Sequence, residues 1–557
     1  MSLCLPSPVL RTLVLATWAF CAQVSAQTIS DAELQRRQAQ QQEAVRGRAA
    51  VLPDVLTNTQ ASGGELVLPT ETPCFLIREI EWGDTASLAF LRDAQAGLVN
   101  HCIGAKALHT LQDYLTSLLL AKGYITSRIL IPEQNLAGGR LVLDVVPGRI
   151  GVVHDQGAAA GWLGMALPAG PGALLNQRDL DQALENMRRL TSEQSVEFEL
   201  RPGSKLGETD IVIKHSPAKR WHALLSLDDS GTKSTGKYQL SGVFTLDSPL
   251  HLYDLLTLSV NNNANATNNT LGSTSTALSW NVPYGYLALL ADATQSRYKQ
   301  TVAGFDSDIV YSGVSRSVSI GLGVVPFRSS VAKSNLQFRL VRKFSRSDID
   351  DTEILVQRRD TVGYDASFTY RYFFGATTLD AGVGLRGSIP SWSSAPGLII
   401  GAPEWNGRYQ VQSANLALTV PFNIGAQKLR QQTSWRLQHS PTLLPPTEYF
   451  SVGNRYSVRG FDGATTLAAE DGWLLRNDLT WQIGGTMQEV YLAVDHGHVG
   501  GTNATQLLGR SLTGAALGWR AQFSNLHIEL TAGLPLAKPA GFTSQHPTYT
   551  ASVAAEF

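Results

Sequence analysis

Thr548-Tyr549-Thr550-Ala551-Ser552-Val553-Ala554-Ala555-Glu556-Phe557 ends the chain, and its residues alternate: Tyr549, Ala551, Val553, Ala555 and Phe557 fall on one face, Thr548, Thr550, Ser552 and Glu556 on the other. A period of two is the signature of a strand. Leu526, Ile528, Leu530, Ala532 and Leu534 repeat it against His527, Glu529, Thr531 and Gly533, and from about Trp221 onward the pattern never returns to helix. In a soluble sandwich the apolar face meets a second sheet. In a membrane barrel it meets lipid, and the polar face lines the lumen. Alternation alone does not choose. The aromatics favour the barrel: Trp473 and Trp481 share a face with Leu475 and Leu479, roughly 20 Å apart along the axis of a tilted strand, close to the spacing of two interfacial girdles. The terminal Phe557 is also how outer-membrane barrels end.

Connections then alternate between short and long, as they do between tight periplasmic turns and larger outer loops. Short ones fall near 283–285, 375–376, 425–426, 484–485 and 524–525; long ones near 261–273, 345–351, 390–406 and 441–471. The spacing predicts an even set of sixteen antiparallel strands with both termini in the periplasm. The Asn-rich run 261–270 reads as a solvated outer loop.

The longest loop carries Val458-Arg459-Gly460-Phe461. An arginine between small and aromatic neighbours can pin a loop to a carboxylate on a lumen wall, because its planar fork matches a carboxylate bidentately. The bland alternative is a solvated loop arginine. On the strand near 490–497, Val490, Leu492 and Val494 face one way and Tyr491, Ala493, Asp495 and Gly497 the other, so Asp495 faces the lumen if the apolar side meets lipid. His496 and His498 lie opposite Asp495 with no third ligand in sight, so no metal site is expected.

Upstream, an apolar run from Leu13 to Cys21 precedes Val24-Ser25-Ala26. Small residues at those positions and a run too short to span a bilayer read as a cleaved export signal over 1–26 rather than a retained anchor. No later segment offers the roughly 18–20 uninterrupted apolar residues a membrane helix needs. Charge is balanced, 45 Lys and Arg against 46 Asp and Glu, so nothing suggests a nucleic-acid partner. Cys4 and Cys21 leave with the signal, so the mature pair is Cys74 and Cys102. In an oxidising compartment the two either form a disulfide, stabilising a small domain by about 3 kcal/mol, or remain as buried thiols.

Residues 27–51 read as a polar helix capped by Asp31, with almost no apolar stripe, suited to water or a polar channel; a loose exported tail is the alternative. A linker without periodicity covers 52–72. Two α+β units of about 70 residues follow, 73–148 and 149–217, each large enough for a modest core. In the first, strands are expected at 75–82, 129–132 and 140–146 and helices at 86–98 and 105–122, the latter carrying Leu108, Leu111, Leu115, Leu118 and Leu119 and stopped by Gly123. The second has a strand from Ile150, a helix at 176–191 with Leu180, Leu184, Met187 and Leu190 on one face, and strands at 196–200 and 210–213. Residues 218–557 are then the barrel.

At this point the chain resembles the outer-membrane transporters of two-partner secretion, of the superfamily that also includes barrel assembly factors. The resemblance covers almost everything after the signal and rests on the order of Pro73-Cys74-Phe75, Gly123-Tyr124-Ile125-Thr126-Ser127-Arg128, Val146-Pro147-Gly148-Arg149-Ile150, Leu175-Asn176-Gln177-Arg178-Asp179-Leu180 and Val458-Arg459-Gly460-Phe461. It implies periplasmic POTRA domains, a helix that plugs the pore, and a sixteen-stranded barrel. Asp495-His496-Gly497 matches the family's Asp-x-Gly strand, which implies an Arg459–Asp495 pair. The implied client is a large adhesin or haemolysin-like exoprotein received at the POTRA domains. The implied setting is outer-membrane lipid, with insertion by the barrel assembly machinery and a monomeric pore. No phosphate-binding loop, Gly-x-Ser-x-Gly elbow or His-Glu-x-x-His is found, so no cofactor, ATP hydrolysis or enzymatic activity is expected. A factor that assembles other barrels is the alternative reading; a simple porin would lack the periplasmic units.

Overall fold

The computed structural model describes residues 66–557 apart from 84–87, 158–159, 217, 265–270, 304–307 and 394–406. The expected export signal, the polar helix over 27–51 and the linker as far as residue 65 lie outside the described residues.

Two small α+β units stand before a closed sheet. In the first, the strand Arg140–Val146 runs parallel to Glu79–Trp82 and antiparallel to Arg128–Leu130. Helix α1 (Ala105–Ala121) buries Ala107, Leu111, Leu115 and Leu119 on that sheet, because the i, i+4 spacing stacks these side chains on one face. The second unit repeats the arrangement. Its strand Glu208–Lys214 lies parallel to Arg149–Gln156 and antiparallel to Glu197–Pro202, covered by a one-turn helix α2 (Leu163–Ala166) and by α3 (Gln177–Arg188). Asn176 caps α3 by accepting from the Arg178 backbone N–H at 2.8 Å. Leu174 packs on the first core and Ile125 on the second, so the units share a joint.

Three expectations for this region need correction. The strand expected at 75–82 is two: Phe75–Leu76 pairs with Cys102–Ile103, and only Glu79–Trp82 joins the main sheet. The helix expected at 86–98 is a 3₁₀ segment, Ala89–Gly97, anchored by buried Leu88 and Leu91, whose spacing of three matches the tighter turn. Leu66 and Leu68, read as linker, pack against the first core.

Sixteen long antiparallel strands, β1 (Trp221–Asp228) to β16 (Thr548–Glu556), close into a barrel. Closure comes where Ser552–Glu556 pairs with Leu224–Asp228, and the backbone N–H of Phe557 donates to Ala223 O at 2.9 Å. Outward residues such as Val318, Ile320, Leu322 and Phe338 are each half or more exposed. A continuous belt of that kind is an aggregation surface in water and a matched surface in lipid, so the barrel is an outer-membrane barrel with the two units on its periplasmic side.

Two of the long loops begin later than expected, while those expected from 390 and 441 follow strands that end at Ser388 and His439. Asn261–Asn263 still belong to the strand Leu255–Asn263, with Asn261 Nδ2 donating to Ser241 Oγ at 2.6 Å. Strand Ala332–Ile349 runs through the segment expected as loop and is extended by pairing with Thr352–Glu353. A spanning strand needs only about 9–11 residues. The 17, 21 and 18 residues of Leu287–Ala303, Asp308–Arg328 and Ala332–Ile349 therefore rise well past the lipid, where both faces meet water and polar composition mimics a loop.

Candidate functional site in the barrel lumen

The connection between β11 (Gln427–His439) and β12 (Asp471–Gln482) folds inward. Its limbs pair as a short ribbon, Phe450–Val452 against Leu467–Ala469. At the tip, the Ser457 hydroxyl accepts from the backbone N–H groups of Gly453 and Asn454 at 3.0 and 3.1 Å, and Asn454 Oδ1 accepts from Tyr456 N at 3.0 Å. This side-chain-closed turn presents Val458 to Phe461 to the wall.

Arg459 and Asp495 meet there. Arg459 Nε and Nη2 each donate at 2.6 Å to the two carboxylate oxygens of Asp495, and the backbone N–H of Arg459 adds a third bond at 2.9 Å. Asp495 is on β13 (Gln488–Gly500) and is fully buried; Arg459 is 5% exposed. The remaining arm of the guanidinium, Nη1, lies 2.5 Å from Asp478 Oδ1 on β12, and Arg476 Nε stands 3.9 Å from Asp495. A charge with no water around it needs this density of partners. Removing Arg459 would strand a buried carboxylate at a cost of about 3–5 kcal/mol.

Glycines make room for the loop. A Cβ at Gly497 would come within 2.7 Å of Val452 and 2.9 Å of Val458, and one on Gly514 of β14 (Ser511–Phe523) within 1.8 Å of Arg459 O. Gly460, at φ +99°, lies against Leu534 of β15 (Leu526–Ala537) with no space for a side chain. Tyr491 covers Gly518, receives Arg520 over its ring at 4.2 Å, and donates its hydroxyl to Glu529 at 2.9 Å. Apolar groups join in: Val452, Val458, Phe461 and Leu467 of the loop pack on Leu474, Val499 and Leu512 of the wall. Sequence reading missed Asp478, Arg476 and Arg520, turned Tyr491 inward without giving it a role, and had Gly460 and Gly497 but not Gly514 or Gly518 of the glycine path. A signal was present, since the alternation that sends Trp473 and Leu475 outward sends Leu474, Arg476 and Asp478 inward. The expectation of a polar lumen fails locally because the loop itself supplies an apolar partner.

Of the other expected residues, Cys74 and Cys102 are joined by a disulfide. The Phe557 side chain is 54% exposed on the outer surface. His496 lies outside beside Trp473, ring centroids 5.0 Å apart. Among the described residues no group of three or more His, Cys, Asp or Glu side chains is placed to hold a metal ion.

Helix α3 fixes the second unit under the periplasmic turns. Glu185 accepts from Arg328 Nη1 at 2.7 Å and from the Lys333 ammonium; Arg328 also donates to Gln182 at 2.8 Å. Burial pushes the Glu185 carboxyl up, but Lys333 and Arg328 pull it down further, so it sits below the ordinary carboxylate value although about a third of its side chain meets water. Asn186 Nδ2 donates to Gly285 O at 2.8 Å, and the Tyr286 hydroxyl to Asp179 at 2.7 Å. Desolvation raises the Asp179 carboxyl.

Residues 207–521 match the family of haemolysin secretion/activation proteins ShlB/FhaC/HecB, residues 75–148 a ShlB-type POTRA domain and residues 150–202 a second POTRA domain. The outer membrane transporter CdiB-2 of Burkholderia pseudomallei (strain 1026b) is 31% identical over 546 residues, 94% of this chain and 92% of the relative. The hemolysin transporter protein ShlB of Serratia marcescens is 25% identical over 73% of this chain and 72% of its own. The solved structure of CdiB from Escherichia coli aligns at a TM-score of 0.86 and 26% identity over 95% of this chain and 99% of that one. CdiB from Acinetobacter baumannii gives 0.81 and 26% over 94% and 99%.

Proposed function

We propose, because the chain belongs to the haemolysin secretion/activation protein family and is an outer-membrane transporter of two-partner secretion, that it carries one unfolded partner exoprotein through its lumen to the cell surface. The relatives are transporters rather than enzymes. The client is a large adhesin or haemolysin-like chain, in keeping with the haemolysin transporters among the relatives. It is received at 73–148 and 149–217, whose sheets end in the edge strands Glu79–Trp82, Arg128–Leu130, Arg149–Gln156 and Glu197–Pro202. An extended segment adds to such an edge through backbone hydrogen bonds with little demand on its sequence. The periplasm holds no ATP, so folding of the client outside drives export. The polar segment 27–51 plugs the pore at rest. A ring closed by strands of one chain supports a monomeric pore, inserted by the barrel assembly machinery.

The observation that carries this reading is the outer loop folded into the tube and held by the buried Arg459–Asp495 pair, since a closed, releasable conduit is what secretion requires. The test is to express the chain with each candidate exoprotein and assay the medium. Arg459→Ala is expected to insert as a folded barrel, to lose about 3–5 kcal/mol of loop anchoring, and to export poorly. Unimpaired export by that variant removes the anchoring role; loss of many outer-membrane barrels on deleting the gene, instead of one secreted protein, favours an assembly factor.

A further inference from the structure

The inward loop is held at its root as well as at its tip. Glu448, immediately before the ribbon, is 6% exposed. Its Oε2 accepts from Arg386 Nε at 2.9 Å, on the strand Thr377–Ser388, and its Oε1 is bonded by the Lys343 ammonium on Ala332–Ile349. Gln438 ties both limbs together, donating from Nε2 to Glu448 O at 2.8 Å and to Glu470 O at 3.0 Å while accepting from Arg386 Nη2 at 3.0 Å. Beside this cluster lies a cavity of about 190 Å³, lined by Lys343, Arg359, Thr361, Tyr409 and Glu448 among others.

We propose that Glu448 is a positioning residue for closure: it fixes the direction in which the ribbon enters the lumen, so that Arg459 reaches Asp495. The proposal rests on the reading that this loop closes the tube. A rod pinned at one point pivots, and a rod pinned at two points does not. The loop offers an anion at its root and a cation at its tip, and the wall offers the opposite charges at two separate places. An inverted or slipped ribbon would bring like charges together, which sets the register as well as the direction. Without the carboxylate, Lys343 and Arg386, both only part-buried, lose the counter-charge they share, and the adjacent cavity gives the root room to move.

The experiment measures loop position in the full chain in lipid nanodiscs. Nitroxides are placed at Ala464→Cys on the loop and Lys428→Cys at a periplasmic turn; both residues are exposed, and the native cysteines Cys74 and Cys102 are bonded to each other. The parent should give one narrow distance. Glu448→Gln should add a second, displaced population, as should the control Arg459→Ala. The charge-swapped variant Glu448→Lys with Lys343→Glu and Arg386→Glu should return the single distance, which loss of a merely structural side chain would not allow. Should Glu448→Gln not yield a heat-modifiable folded barrel, Arg386→Gln, which leaves Lys343 in place, should show a smaller displaced population.

A single narrow distance in folded Glu448→Gln beside a displaced loop in Arg459→Ala overturns this proposal alone. No displacement in Arg459→Ala overturns the closure reading beneath it. A charge-swapped variant that folds but keeps the displaced population also overturns the positioning role, and so does failure of both root variants to fold, which would make the cluster part of barrel assembly.

Discussion

The two periplasmic units share one topology and are held by different means. The first is closed on itself: the Cys74–Cys102 bond sits beside its strand pair, and Glu71 reaches back to the start of α1. None of the described hydrogen bonds or ion pairs joins it to the barrel. The second has no disulfide but is fastened to the periplasmic turns through Asp179, Gln182, Glu185, Asn186 and Arg189. The difference separates two tasks that the repeated fold would otherwise blur. Under the proposed function, the outer unit would keep its own stability while free to meet a client, and the inner one would hold its open-edged sheet at the mouth of the tube.

Breaking the inner attachment should have the largest effect. Glu185→Arg places a cation against Arg328 and Lys333, and like-charge juxtaposition costs several kcal/mol. Amide exchange in α3 is expected to rise sharply in the intact protein while exchange in α1 stays as it was, and export should fall. If α3 remains as protected as before, the ion cluster is not what holds the second unit in place.

Cutting the outer unit's cross-link comes next. Cys74→Ser with Cys102→Ser removes a loop closure of 28 residues, and the first unit should lose about 3 kcal/mol. Pulse proteolysis of the full chain reads this as earlier cleavage within residues 66–148. Equal destabilisation of the second unit would mean that the joint at Leu174 and Ile125 couples the two, so that they are not held by separate means.

Much of this was legible beforehand, and the misses have physical reasons. Strand alternation is dictated by lipid on one side, so β13 could be oriented and Asp495 turned inward from sequence. The polar extensions of the long strands carry no such constraint, and 345–351 read as loop. Helix α1 showed its leucine stripe because it packs on one face only, whereas at Ala89–Gly97 the sequence read as helix, in a segment too short for the tighter 3₁₀ period to be told from the α-helical one. Arg459 stood out by its neighbours. Glu448 did not, because its partners Lys343 and Arg386 lie 105 and 62 residues away and only the closed barrel brings them together. Tertiary ion clusters leave no local pattern, and a single carboxylate in a proline-rich loop looks solvated.

The smallest effect is the one most specific to the outer unit. Gly104 precedes α1 and offers no side-chain cap, so the helix's first N–H groups need an acceptor from elsewhere. Glu71 supplies it: its carboxylate accepts from Ala107 N at 2.7 Å, Lys106 N at 3.0 Å and Gly104 N at 3.1 Å. The bond from Ala107 is the largest influence, and with those from Lys106 and Gly104 it outweighs desolvation and holds the carboxyl below its ordinary value of 4.5. A carboxylate depressed in the folded state contributes stability that is fully present above that ordinary value and lost as pH falls through the folded one. Protection of α1 should therefore decline below about pH 4.5, ahead of any change attributable to the disulfide, which does not titrate. Glu71→Gln should lower α1 protection slightly at neutral pH, since the helix N-terminus favours a negative charge, and should flatten the acid decline. An acid decline of unchanged depth in Glu71→Gln would assign the pH sensitivity to other carboxylates and leave the outer unit held by its cross-link and core alone.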